Sequence, residues 1–212
     1  MITVHHLDDS RSQRILWLLE ELGEPYEIEQ HRRDPVTRSA PAALKQIHPL
    51  GKSPVIEDNG RVVSESGAIV EHILRRYGQG RLQPSVDDPR YDDFIHWMHY
   101  AEGSAMPALI IRINIGRVGE AAAASLPRWD AEVALQLTYI NGALEGRKFL
   151  LGDAFSAADI QLSFAGELAM GVFGLSDYPN IEAWIRRFQA RGAYQVALQK
   201  GGPYRFAANQ ST

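Results

Sequence analysis

The 212-residue chain has no cysteine. That absence excludes a disulfide framework, a thiolate metal site, a redox Cys-x-x-Cys and a cysteine nucleophile. Any thiol chemistry has to use a thiol brought by a ligand. Long apolar runs are missing too: none reaches the ~18 residues of a membrane span, and the start has neither the basic end nor the apolar stretch of a secretory signal. The expectation is a cytoplasmic protein with no membrane span. Charge of one sign is also scarce. A formal net charge of -4 with no basic run leaves no electrostatic footprint for nucleic acid or an anionic membrane surface. The pairs Arg75-Arg76 and Arg186-Arg187 read as solvated helix faces. What is present is ordinary globular usage, 45% hydrophobic and 23% charged, enough for one sizeable core or two modest ones.

The N-terminal third alternates strand and helix patterns. Ile2, Val4 and His6 alternate with Thr3 and His5; Ile15, Leu18, Leu19 and Leu22 then form one apolar helical stripe, stopped by Gly23 and Pro25. Tyr26-Glu27-Ile28-Glu29 alternates again, so the opening reads as β-α-β with parallel strands joined by a right-handed crossover. Residues 32–49 are polar and irregular, with a helical turn near Ala42–Gln46. Asn59-Gly60 between two short apolar runs predicts a two-residue hairpin, and Pro54 fits only a strand start or a special turn. Ser64-Glu65-Ser66 opens a helix whose apolar face is Ile69, Ile73 and Tyr77, ending at Gly78.

Gly78 to Pro89 has linker composition, and beyond it strand patterns vanish. A long helix opens with Phe94, Trp97, Met98 and Ala101 and runs to about Arg117, with Gly103 and Pro107 as bend points. A second covers roughly 124–145, with Leu126, Trp129, Val133, Leu137 and Ile140 on one side. Phe155-Ser156-Ala157-Ala158-Asp159-Ile160 carries a capping box and staple heading a helix towards Gly171, and Tyr178-Pro179-Asn180-Ile181 opens another with Ile185 and Phe188. The expected architecture is an α/β N-terminal domain (β-α-β-α-β-β-α) over 1–79, a linker over 80–89, and an all-α C-terminal domain over 90–212.

Taken singly, the polar signals have structural readings. Ser10-x-x-Gln13 is a capping-box pattern worth about 1 kcal/mol, Ser64 and Ser66 are both eligible caps, and Lys52 is a solvated loop lysine. His96 and His99 share a helix face but show no third ligand, and His5 and His6 point to opposite faces of a strand, so no metal site is expected.

Together, in order, these signals resemble the cytosolic-type glutathione transferases over nearly the whole chain. The serine joint, Gly51-Lys52-Ser53-Pro54, Glu65-Ser66 and the box at Ser156–Asp159 carry the resemblance. His6-Leu7-Asp8-Asp9-Ser10-Arg11, Ile15-Leu16-Trp17-Leu18-Leu19, Ile47-His48-Pro49-Leu50-Gly51 and Tyr100-Ala101-Glu102-Gly103-Ser104 are similar to the fungal glutathione transferase I type and its bacterial relatives. The resemblance implies a thioredoxin-like N-terminal domain, an all-helical C-terminal domain, a homodimer, and reduced glutathione as co-substrate with no permanently bound cofactor. It implies a detoxifying conjugation of glutathione to a small hydrophobic electrophile. Alternatives within the same fold are glutathione-dependent peroxide reduction or isomerisation, and a non-catalytic binding or assembly module.

Carried onto this chain, the resemblance makes Ser10 the donor to the glutathione sulfur, with Asp9 and Ser12 as neighbouring alternatives. A cis peptide would precede Pro54, with the Ser53 backbone pairing with the cysteinyl backbone. Lys52, assisted by Arg38 or His48, would meet the glycyl carboxylate. Ser66 would hold the γ-glutamyl carboxylate, with Glu65 meeting the ammonium. His99, Tyr100, Met106 and Arg112 are the candidates for the electrophile pocket.

Overall fold

The computed structural model describes residues 1–207. They form two compact units: Met1–Gln83 with the chain from Phe188 onward, and Pro84–Arg187. No helix of the described residues is long and apolar enough to cross a membrane.

The first unit is built on a four-stranded sheet. Its elements are β1 (Ile2–Leu7), α1 (Gln13–Leu22), β2 (Tyr26–His31), α2 (Leu44–Ile47), β3 (Val55–Asp58), β4 (Arg61–Ser64) and α3 (Ser66–Tyr77). The strand order is β2-β1-β3-β4. β1 and β2 are parallel, and the β1–β3 and β3–β4 pairs are antiparallel. This is the mixed sheet of a thioredoxin-like domain. The turn signals hold: Asn59 and Gly60 take φ of 49° and 77°, the primed-turn geometry that matches strand twist, and Gly23 closes α1 at φ 67°.

Helix α1 carries more than the expected single stripe. Ile15, Leu16, Trp17, Leu18 and Leu19 are all fully buried, because a helix that the apolar periodicity did not reveal, α9 (Gly192–Gly201), covers a second face. Trp17 packs at a tilt against Phe188 at 5.3 Å and meets Tyr194 edge-on at 5.2 Å. Arg191 pairs with both Glu21 oxygens at 2.6 and 2.8 Å, and Lys200 reaches Glu20 at 2.5 Å. With glycine at both ends and Tyr194 and Ala197 its main apolar burials, α9 has too small a stripe to register in the sequence.

The second unit holds α4 (Tyr91–Tyr100), α5 (Met106–Val118), α6 (Leu126–Ala143), α7 (Ala157–Phe173) and the body of α8 (Pro179–Gln189). The expected long helix is interrupted by one π turn at Ala101–Ala105 between α4 and α5. Pro107 has no N–H for the Gly103 carbonyl, so the ladder widens there instead of continuing in α register. A 3-10 stretch, Gly119–Ser125, delays the start of α6. Within α6, Val133, Leu137 and Ile140 are buried, whereas Leu126 and Trp129 are half-buried. Helix α7 starts with the capping box at Ser156 and Asp159 and is enclosed over most of its length.

Candidate functional site

Strand register gathers three distant segments at one end of the sheet. His5 pairs with Val55, so the joint after Leu7 lies beside the loop that precedes β3. Val55 pairs with Ser64, so the start of α3 lies at that end as well. Thus Asp8–Ser12, Lys52–Pro54 and Glu65–Ser66 share one rim although the chain separates them widely.

The joint after β1 is closed by hydroxyl groups. Helix α1 begins at Gln13, with Ser12 in the cap position making no side-chain bond to the helix. The Ser12 hydroxyl turns back onto the strand. It accepts the Leu7 N–H at 3.1 Å, lies 2.8 Å from His6 Nδ1, and lies 2.7 Å from the Ser10 hydroxyl. The Ser10 oxygen accepts the Ser12 N–H at 3.2 Å. Ser10-x-x-Gln13 is therefore not the capping box that the spacing suggested. The Gln13 amide stays buried, with no hydrogen-bond partner for either end among the described residues.

Proton directions follow from this chain. The sense of each bond is assigned from the network. Burial draws the His6 imidazole from its usual 6.5 down to about 4, while Asp8 and a backbone hydrogen bond to Gly201 oppose it. The ring is neutral, its Nε2–H faces Gly201, and Nδ1 is left to accept the Ser12 proton. Ser12 then accepts from Ser10.

The other candidates at the joint are already engaged. Ser12 is fully buried and Ser10 nearly so, at 4% exposure. Asp9, at φ 48°, accepts from Arg38 at 2.7 Å and from the Arg205 N–H at 3.0 Å. Arg33 donates to the Asp8 carbonyl at 2.8 Å and to the Arg38 carbonyl at 3.0 Å. Arg38, proposed for a carboxylate, is thus brought to Asp9 at this rim. Arg33, Arg205 and Gly201 were not singled out from the sequence, and His6 only as a strand residue and an excluded metal ligand. No local pattern marks these contacts, because Arg33 meets Asp8, Arg205 meets Asp9 and His6 meets Gly201 across long stretches of the chain.

The Ser53-Pro54 peptide is cis. The Ser53 hydroxyl donates to the His5 carbonyl at 2.9 Å, tying the loop to β1, and Lys52 is exposed. At α3 the cap position falls on neither serine. Glu65 occupies it, exposed, at φ 69° and ψ 119°, a sparsely populated conformation for a residue with a side chain that costs on the order of 1–3 kcal/mol. Ser66 is the buried first residue of the helix, and Ser64 lies 3.2 Å from His48 Nε2.

The four residues expected around an electrophile lie in the helical unit with different surroundings. His99 is exposed and Met106 is buried in the core. Arg112 donates to Asp130 at 2.5 Å, and Tyr100 donates to the Gln136 side chain at 2.5 Å. Burial pushes the Tyr100 hydroxyl above its ordinary range. Around Tyr100 the rings of His96, Trp97 and Tyr139 gather at 5.6, 5.3 and 5.3 Å. The His96 ring is held by the Tyr139 hydroxyl at 2.9 Å.

The chain thus joins a thioredoxin-like domain, with a serine joint and a cis-proline loop, to a following all-helical domain. Comparison names the family. Residues 10–76 match the glutathione S-transferase N-terminal domain and residues 98–191 the C-terminal domain. Glutathione S-transferase 3 of Schizosaccharomyces pombe is 36% identical, over 94% of this chain and 88% of that protein. A crystal structure of a glutathione S-transferase from Actinobacillus pleuropneumoniae is 33% identical, with a TM-score of 0.89 over 95% of this chain and 93% of that one. A glutathione transferase family member from Pseudomonas fluorescens, solved with two glutathione bound, shares the fold at 24% identity and a TM-score of 0.78, covering 92% and 91%. The chain belongs to the glutathione S-transferase family.

Proposed function

We propose that the protein conjugates the thiol of reduced glutathione to a small hydrophobic electrophile, with Ser10 stabilising the thiolate. The carrying observation is the convergence of the serine joint, the cis-proline loop and the strained Glu65-Ser66 helix start at one end of the sheet. The tripeptide has one thiol, one ammonium and two carboxylates. Ser10 meets the thiol. The Ser53 backbone beside Pro54 extends the sheet to the cysteinyl backbone, Lys52 with Arg38 serves the glycyl carboxylate, and Ser66 with Glu65 serves the γ-glutamyl end.

A free thiol ionises near ~8.5, and hydrogen bonding together with the positive end of α1 lowers that value. The thiol proton passes to solvent water, and the Ser10 proton turns from Ser12 to the sulfur. The thiolate then donates its electron pair to the electrophilic carbon, an S–C bond forms, and the leaving group departs with the electrons of the broken bond. His99, Tyr100, Met106 and Arg112 are assigned to the electrophile. The working form is assigned as a homodimer, which sedimentation analysis checks directly.

The test is the thiol's ultraviolet titration in the glutathione complex. Ser10→Ala raises its apparent pKa and leaves glutathione affinity nearly intact; an unchanged titration removes Ser10 from the role. Ser66→Ala does the converse, weakening binding with little change in ionisation. If the protein is not retained on immobilised glutathione and does not turn over an aryl halide, it is a binding or assembly module. Turnover of peroxide without aryl-halide conjugation makes it a peroxidase.

A further inference from the structure

The sheet has a second constellation, and the Ser10 site uses none of it. In the parallel β1–β2 register His5 faces Glu29 and Leu7 faces His31, and the two-residue repeat of the pleat sends His5, Glu29 and His31 to one face. His6 lies on the other. His5 Nδ1 is 3.2 Å from His31 Nε2 and 3.4 Å from one Glu29 oxygen, and His31 Nε2 is 3.6 Å from the other Glu29 oxygen. His5 is fully buried and His31 nearly so, while the Glu29 side chain is 54% exposed.

We propose that His5, His31 and Glu29 form a binding site for one divalent transition-metal ion, best matched by zinc. The separations suit it. Metal–nitrogen bonds of about 2.0–2.1 Å in tetrahedral geometry place neighbouring ligand atoms ~3.3 Å apart. The tautomer suits it as well. His5 Nε2 sits 3.0 Å from Glu57 Oε1, so Nε2 carries the proton and donates it, and the Nδ1 lone pair is aimed at His31 and Glu29. A carboxylate holding the far nitrogen of a ligating histidine is the usual outer support of a metal site.

That arrangement sets two acceptors, the His5 lone pair and the Glu29 carboxylate, against each other at 3.4 Å. A single proton on His31 Nε2 reconciles only part of this. A cation bound to all three groups satisfies every lone pair, with His31 taking its Nδ1–H tautomer. Two imidazoles and one carboxylate select zinc and its late first-row neighbours over magnesium or calcium, and three protein ligands leave a fourth position for water. Because strand pairing fixes His5 against Glu29, the site exists without a conformational change.

The experiment uses the full chain, freed of metal by chelator and titrated with cobalt(II) and then with zinc. One cobalt ion per chain is expected, with visible bands of four-coordinate intensity that zinc displaces. Glu29→Ala, a surface change, and His31→Ala should each abolish the bands, and Glu57→Gln should weaken binding by about 10–100-fold. His96→Ala should leave them unaltered. Zinc should raise the thermal midpoint of the wild type and of His96→Ala but not that of Glu29→Ala. Absence of stoichiometric binding, or binding that survives Glu29→Ala, overturns the proposal.

Discussion

Two helix starts with one sequence pattern have opposite fates. Ser156-x-x-Asp159 forms the reciprocal box ahead of α7. There the buried Asp159 carboxylate accepts from the Ser156 N–H and the Leu150 N–H at 3.0 Å each, from the Trp184 indole at 2.9 Å and from the Ser156 hydroxyl at 3.2 Å. Burial pushes that carboxyl up and the four donors pull it back. Ser10-x-x-Gln13, ahead of α1, builds no box: its hydroxyl joins Ser12 and His6, and Gln13 never reaches back. The box at α7 has spent every donor on one fixed geometry. The hydroxyl chain at α1 runs instead from Ser10 through Ser12 to His6, the arrangement on which the proposed thiolate-stabilising role of Ser10 rests.

The sharpest way to break the contrast is Asp159→Ala. It strands several buried donors together, and a loss of about 3–5 kcal/mol is expected in urea unfolding. Next comes the pH dependence of the other start. Above pH 6.5 His6 is neutral folded or unfolded, and its contribution is complete. As pH falls from 6.5 towards about 4, only the unfolded chain takes the proton, so stability drops, by on the order of 3 kcal/mol across that window. His6→Asn keeps an acceptor for Ser12 and should remove this part of the slope in denaturant midpoints measured against pH.

Gly201→Ala should cost about 1–3 kcal/mol. A Cβ there would lie 2.8 Å from Gln13 Oε1, 3.0 Å from a Leu16 methyl and 3.1 Å from His6 Nε2, and the shift should appear as a lower thermal midpoint. Ser10→Ala is the smallest in stability, within about 1 kcal/mol. A loss as large as that of Asp159→Ala would make both starts structural and erase the distinction.

Much of the fold could be read from local pattern: the parallel opening unit, the hairpin at Asn59-Gly60, the helix stop at Gly23 and the box at Ser156. The resemblance also led to the cis Ser53-Pro54 peptide. Local pattern missed α9, and therefore why Trp17 and Leu16 are as buried as Leu18. It also placed the α1 box on Ser10 and the α3 cap on a serine, where the folded chain has Ser12 and Glu65.

By itself the sequence determined the features that a few neighbouring residues enforce, such as primed turns, caps, apolar stripes, and the absence of any thiol of its own. Tertiary structure alone decided which partner each hydroxyl meets and which histidine faces a carboxylate. The reason is physical. The direction of a hydrogen bond depends on whatever occupies the other side of each group, and for Ser10 that is Ser12, then His6, then Gly201 near the far end of the chain.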